Sequence, residues 1–283
     1  MASDSRCFGV ARYTALEDLF PERVGTSVGI VLAAADAGQA LLPPLAGILA
    51  VTVLWQLGFA YTLPLFVVVT VALWRYVPTR TSGSSNRGTV FSLKQLRYVL
   101  KNIHQGPVLY SSVMFVVYVT VWITFTGFYP TYLISIKEIS PTLAGALFGM
   151  FFAVGVAIKP LSGIAYDRVG IRVSLLTITG ISAISLVTLP LVENVVTLAI
   201  ITVFIAPILG SGTITQSHII ESLASDVKGT GLGFIRTGGM MIAAVAPAIF
   251  GAIADRGHFD EVFFILAGFA CVTILLIIRF PSR

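Results

Sequence analysis

Charged residues are scarce in this sequence. Only 11% of its 283 residues are charged, 56% are hydrophobic, and the mean hydropathy is +0.93. Soluble domains typically carry about 25% charged residues, so the composition excludes a water-soluble globular protein. We therefore expect a protein that is embedded in a lipid bilayer.

The residue sets of an enzyme or a metal centre are also missing. The two cysteines, Cys7 and Cys271, are far apart, and the three histidines are scattered. No cysteine or histidine spacing is typical of metal ligands or a redox pair. The glycine-rich stretch "GTGLGFIRTGG" at 229–239 follows no strand, which argues against a nucleotide loop. We predict no catalytic residues, no metal, no cofactor and no nucleic-acid partner, and hence a protein that is not an enzyme.

Long hydrophobic runs dominate what is present. A helix needs about 20 apolar residues to cross the hydrocarbon core of a bilayer. Eight segments meet this length, which predicts an all-α, polytopic transmembrane bundle with eight spans. The predicted spans are 24–51, 54–76, 108–135, 141–165, 172–192, 195–217, 230–254 and 261–279.

The stretch 77–107 is the one long link between spans. It opens with "TRTSGSSNRGT" and continues as "VFSLKQLRYVLKNIH", in which leucines and basic residues fall on different helical faces. We predict a cytoplasmic linker with an amphipathic helix. The pattern fits a helix on an anionic membrane surface and a solvated linker helix equally well.

Lysine and arginine are distributed unequally over the two sides of the predicted membrane. With eight spans both termini lie on one side, and that side carries fifteen of these residues. The other side carries Lys137 and Arg256, and Lys159 falls inside a span. Because basic residues are enriched in cytoplasmic loops, we predict that both termini and the 77–107 link are cytoplasmic.

The chain also contains an internal repeat. Residues 19–51 align without a gap on residues 223–255, with eight of 33 positions identical. The identities include Gly25 with Gly229, Thr26 with Thr230, and Pro43 with Pro247. Glycine and proline control close packing and bending in membrane helices. The first predicted span therefore corresponds to the seventh, which indicates a six-helix unit used in parallel, as in many secondary transporters.

Three short stretches carry a resemblance to the major facilitator superfamily. The stretch "GIAYDRVGIR" at 163–172 is similar to that family's G-x-x-x-D-R/K-x-G-x-R/K loop in its second copy, between the eighth and ninth helices. The stretch "DLFPERVGTSVGI" at 18–30 resembles the cytoplasmic start of the fifth helix. The stretch "GAIADRG" at 251–257 resembles a degenerate copy of the loop.

The resemblance implies the last two helices of an N-terminal bundle followed by a complete six-helix C-terminal bundle. We accordingly expect residues 1–76 to be part of the first bundle, 77–107 the linker and 108–283 the second bundle. Four helices of the family pattern have no counterpart before residue 24. We interpret this as an N-terminal truncation or as a second chain that supplies those helices.

The resemblance also implies a latch that fastens the two halves and breaks during the transport cycle. Its residues in this chain are Gly163, Asp167, Arg168, Gly170 and Arg172. By the family's pseudo-symmetry, their partner is the start of the first span, with Glu22, Arg23, Gly25 and Thr26. The alternative is that the loop only anchors orientation, which explains its arginines but not Asp167.

Ionisable and polar residues inside spans are candidates for coupling or substrate binding, because they are costly in lipid. Asp36 lies twelve residues past Val24, about 18 Å along a helix, and Gln39 is on a neighbouring face. Lys159 precedes Asp167 by eight residues, about 12 Å. We hypothesise an Asp36–Lys159 pair that follows the conformational cycle and couples it to protons. For Lys159, snorkelling to the interface is the alternative.

Two further features bear on the substrate. Arg236 is a candidate contact for an anionic substrate or the latch, with an interfacial anchor as the alternative. An aromatic stripe along the third span suits a cavity wall for an amphipathic solute, although lipid-facing or packing aromatics give the same pattern. The predicted lining residues are Phe115, Tyr118, Trp122, Phe125 and Tyr129.

The sequence as a whole predicts a transporter of a small organic solute. We expect it to work by alternating access as a symporter or antiporter, with protons as coupling ion, in the plasma membrane. The alternative is a non-transporting fragment or subunit that assembles with another transporter half. Gln216, His218 and Glu221, at the cytoplasmic end of the sixth span, are interpreted as a solvated helix end.

Overall fold

The computed structural model describes residues 20–52, 60, 62–76, 106–223 and 228–279. Contacts divide the chain into two compact units, one of residues 1–40 and 99–283 and the other of residues 41–98. The described residues are helical apart from short turns and links and contain no strand, which confirms the all-α class.

Apart from the second predicted span, whose first residues are mostly outside the described chain, the helical segments begin and end within a few residues of the predicted spans. A 3-10 turn, Pro21–Arg23, precedes the first helix, and a second one, Leu189–Leu191, follows the fourth. The α-helices are α1 (Val24–Thr52), α2 (Thr62–Tyr76), α3 (Gly106–Ser135), α4 (Pro141–Thr188), α5 (Val195–Ile205), α6 (Ile208–Ser222), α7 (Lys228–Ala243), α8 (Ala246–Ala254) and α9 (Phe259–Ile278). The unit of residues 41–98 contains the end of α1 and α2, whose sequence is apolar up to Arg75.

Helix α4 is a hairpin of two arms. Its 48 residues would measure about 72 Å if straight, more than twice the bilayer core. Gly170, with φ 77° and ψ 176°, interrupts it in a conformation that glycine adopts without a steric penalty. Lys137 Nζ, just before α4, donates to the Pro190 carbonyl just after it, at 2.7 Å. Both ends of α4 therefore lie together, and its first arm (141–169) and second arm (171–188) run antiparallel.

Two other predicted spans are helices with a break in the middle. The span 195–217 is divided between α5 and α6 beside Pro207, and the span 230–254 between α7 and α8 just before Pro247. Proline has no N–H to donate to the preceding turn, and its ring crowds that turn's carbonyl. The positions of the breaks therefore follow from the two prolines, although each of these stretches was predicted only as one span.

Six helical segments in the described chain are long and apolar enough to cross a membrane, counting both arms of α4 as one segment. The described part of α2 is shorter than a full span. The count of eight spans and the domain boundaries after residues 76 and 107 stay predictions. The predicted linker and amphipathic helix lie outside the described residues, since 77–105 are not among them.

Large apolar side chains cover the outside of the unit formed by residues 1–40 and 99–283. Ile184 is 71% exposed and Met241 70%, and Leu275 is also well exposed. Apolar surface of this extent is unfavourable in water and favourable against lipid tails. Such a surface is typical of an integral membrane protein.

The first part of α1 packs antiparallel against the first arm of α4. Moving along α1, Gly25 lies against Gly163, Gly29 against Lys159, and Ala40 near Gly149. Glycine allows the two backbones to approach closely, as small residues do in membrane helix pairs. This close pair brings the candidate site together.

We predict that Gly163→Ala destabilises the protein by about 1–3 kcal/mol, because a Cβ there would overlap the Gly25 carbonyl oxygen. Gly145→Ala, on the same arm, is the control: a Cβ there would meet nothing within 4 Å. Helix propensity alone would make this control neutral or more stable by about 0.5–1 kcal/mol. Thermal unfolding of the purified protein measures both. Equal melting temperatures for the two variants would contradict the close packing.

Candidate functional site

Asp167, on the first arm of α4, caps the N-terminus of α1. Its Oδ1 accepts from the Gly25 N–H at 2.9 Å, and its Oδ2 accepts from the Thr26 N–H at 2.9 Å and the Thr26 hydroxyl at 2.6 Å. These N–H groups are among the first four of a helix, which have no acceptor within it. A carboxylate there is stabilised by charge-assisted hydrogen bonds and the helix dipole. We call this arrangement the Asp167 contact.

The other predicted latch residues occupy different positions. Gly163 touches the Gly25 backbone, and Gly170 makes the break in α4. Arg172 donates to the Ile278 carbonyl at the end of α9, at 2.6 Å. Arg168 is exposed.

The predicted partners Glu22 and Arg23 are exposed as well. Within the described residues the Arg23 guanidinium makes no ion pair with Asp167, which accepts hydrogen bonds from Gly25 and Thr26 instead. Asp167 thus contacts the start of α1 through two backbone N–H groups and the Thr26 hydroxyl rather than through charged side chains.

Asp36 and Lys159 form a buried ion pair about two to three turns deeper along the same two helices. Lys159 Nζ lies 2.5 Å from Asp36 Oδ1 and also donates to the Leu32 carbonyl at 3.4 Å. Asp36 is 1% exposed and Lys159 6%, so Lys159 does not snorkel in this conformation. Asp36 Oδ2 has no hydrogen-bond partner among the described residues.

Gly155 makes room for that carboxylate. A Cβ at Gly155 would lie 2.5 Å from Asp36 Oδ2. The unpaired oxygen is therefore held against a helix backbone. A lone buried acceptor of this kind is unfavourable unless a proton or a water satisfies it.

Arg236 and Gln39 do not join this pair. Arg236 donates from Nη1 to Gln216 Oε1, which ties α7 to α6, and Gln39 is exposed. Gln216 is 4% exposed, so its interpretation as part of a solvated helix end is wrong. Its amide is instead buried between α6 and α7, where it also donates to the Gly212 carbonyl at 2.9 Å.

The aromatic stripe of α3 divides into packed and partly open residues. Phe125 stacks on Tyr129 with centroids 4.7 Å apart and also packs on Phe151 and Phe263. Phe115 is likewise buried, whereas Tyr118 and Trp122 are half-buried. In this conformation both rings belong to the bundle core: α4 and α9 cover Phe125, and the buried Tyr129 hydroxyl bonds to the Thr202 hydroxyl on α5.

Tyr118 also lines a small cavity inside the bundle. The cavity measures about 20 Å³, room for about one water molecule. Its polar lining consists of hydroxyl groups, with Thr179 Oγ1 buried and unpartnered among the described residues. A cavity of this size does not admit an organic solute.

A family profile described as Major Facilitator Superfamily matches this chain twice, over residues 5–221 and over residues 113–283. These matches cover almost the whole sequence. The chain belongs to the Major Facilitator Superfamily. A search of curated proteins found no match.

Membership of the Major Facilitator Superfamily makes the chain an integral membrane protein of a secondary-transporter family. Lipid and a small-molecule substrate are its implied partners, and the family consists of transporters rather than enzymes. The described residues contain no group of three or more metal-ligating side chains.

The sequence did not single out Tyr166 or Gly155 as parts of the candidate site. Tyr166 donates to Glu221 Oε2 at 2.6 Å and lies beside the Asp167 contact. In "GIAYDRVGIR" Tyr166 directly precedes Asp167, and this was the one sequence feature that could have pointed to Tyr166. No sequence feature pointed to Gly155, because its contact with Asp36 depends on which helix packs against it.

We predict that Asp36→Asn destabilises the transporter by about 3–5 kcal/mol, because it leaves the buried Lys159 ammonium without a counter-ion. The double variant Asp36→Asn/Lys159→Gln should recover most of the loss, since no buried charge remains. Melting temperatures of wild type, single and double variants measure the coupling. A double variant that loses the sum of the two single effects would contradict a direct pair.

Proposed function

We propose that this chain moves a small organic solute by alternating access and couples the movement to protons. The observation that carries the proposal is the buried Asp36–Lys159 ion pair, which joins α1 to the first arm of α4. By the family resemblance these two helices belong to different bundles. A pair between them breaks when the bundles separate on that side.

Asp36 is suited to carry the proton. One of its oxygens contacts Lys159, and the other has no partner among the described residues. Protonation would neutralise the carboxylate and leave the Lys159 ammonium buried with a much weaker partner. Such a state is unfavourable in a site of low dielectric constant, so it favours separation of the helices and hydration of Lys159.

The Asp167 contact is suited to act as the cytoplasmic latch. It consists of three hydrogen bonds at the end of a helix, and Asp167 is only partly buried. Water can replace those bonds when the helices separate, so opening here costs less than opening at a fully buried site. We place both termini in the cytoplasm and the protein in the plasma membrane.

The substrate is proposed only as a class. The half-buried aromatic rings Tyr118 and Trp122 favour an amphipathic solute, whereas Lys159 and Arg236 favour an organic anion. Counterflow in proteoliposomes with labelled solutes of both kinds distinguishes these classes. Vesicles that exchange no solute would instead support a subunit that needs another transporter half.

We predict that Asp36→Asn/Lys159→Gln retains counterflow but loses solute accumulation driven by a pH gradient. Counterflow exchanges solute without net proton movement, and this variant keeps a neutral, paired site but no carboxylate to protonate. The matched control is Gly145→Ala, which should keep both activities.

Accumulation by the double variant equal to that of wild type would remove Asp36 from the coupling. Loss of both activities in the double variant, with its fold intact, would assign the pair to substrate binding or to the conformational change itself.

A further inference from the structure

Tyr166 connects α6 to the first arm of α4 beside the Asp167 contact. Its hydroxyl donates to Glu221 Oε2 at 2.6 Å, and His218 Nδ1 lies 3.2 Å from the same hydroxyl oxygen. Glu221 and His218 are both in the last turns of α6. Tyr166 is only 7% exposed, so this bond ties a buried ring to a carboxylate at the helix end.

The same ring is in contact with the start of α1. A Cβ at Gly25 would lie 2.8 Å from Tyr166 Cδ1 and 2.6 Å from Asp167 Oδ1. Tyr166 and Asp167 therefore contact the same glycine from adjacent positions of one helix. A rotation of the Tyr166 ring displaces the surface on which Gly25 rests.

We propose that Tyr166 is a positioning residue for the Asp167 contact and that Glu221 holds it in place. The inference deepens the proposed function, because it assumes that the Asp167 contact is the latch. The position of α6 then controls how firmly the start of α1 is held.

A second hydrogen bond extends this connection to α7. Gln216, five residues before Glu221 on α6, accepts from Arg236 on α7. A displacement of α7 that moves α6 as a rigid helix reaches Tyr166 through Glu221. The latch is thereby sensitive to movement inside the bundle as well as to the distance between α1 and α4.

Amide hydrogen exchange of the full-length protein in lipid nanodiscs tests this proposal. The Gly25 and Thr26 N–H groups donate to Asp167, so their exchange reports opening of the contact directly. We expect Tyr166→Phe to speed their exchange about tenfold, the effect of losing one hydrogen bond to a charged group. Asp167→Asn should speed it more and serves as the positive control.

Tyr132→Phe is the matched control. It also removes a tyrosine–carboxylate bond, from Tyr132 to Asp260 at 2.5 Å, but between α3 and α9 away from this site. It should leave exchange at Gly25 and Thr26 unchanged. Glu221→Ala should also speed this exchange, and combining it with Tyr166→Phe should add little, because both variants remove the bond between these two side chains.

Exchange unchanged in Tyr166→Phe, or increased equally in Tyr132→Phe, would overturn the proposal. An additive double variant would show that Glu221 acts independently of Tyr166. These exchange results do not depend on transport. If the protein does not transport but its variants change amide exchange as expected, the positioning role of Tyr166 stands and only the proposed function is contradicted.

Discussion

The close antiparallel packing of α1 on the first arm of α4 is the constraint on which the site depends. Gly25 and Gly163 let the backbones touch, and Gly29 packs directly on the backbone of Lys159. At this separation the Asp167 carboxylate reaches the N–H groups of Gly25 and Thr26. Lys159 likewise reaches Asp36 only because the helices are this close. Both polar contacts therefore depend on the same close approach of the two helices.

The two contacts differ in their access to water, and this difference suits them to different tasks. Asp36 and Lys159 are nearly inaccessible to water. Separating them while Asp36 is unprotonated therefore leaves two opposite charges unpaired in a medium of low dielectric constant. Asp167 is partly exposed and binds backbone N–H groups that water can also satisfy. In the proposed cycle, the inner pair makes opening depend on protonation, and the outer contact holds the closed state without preventing its release.

Much of this arrangement was predictable from sequence. Hydrophobic length placed most of the described helices to within a few residues. The depth of Asp36 counted from Val24 and that of Lys159 counted back from Asp167, combined with the family resemblance, indicated their pairing. The sequence did not reveal the bond from Tyr166 to Glu221 or the bond from Arg236 to Gln216. Each bond joins two helices, and only their packing determines which sides face each other. The aromatic stripe of α3 was ambiguous for the same reason, since spacing does not distinguish a core face from a cavity wall.

The central claim is that the start of α1 separates from the first arm of α4 when the Asp167 contact breaks. Spin labels at Phe20→Cys and Val169→Cys, both exposed positions flanking the contact, measure this separation by pulsed electron resonance once Cys7 and Cys271 are replaced by serine. The account predicts a short and a long distance population, with Asp167→Asn shifting the protein toward the long one. A single distance that Asp167→Asn leaves unchanged would contradict it.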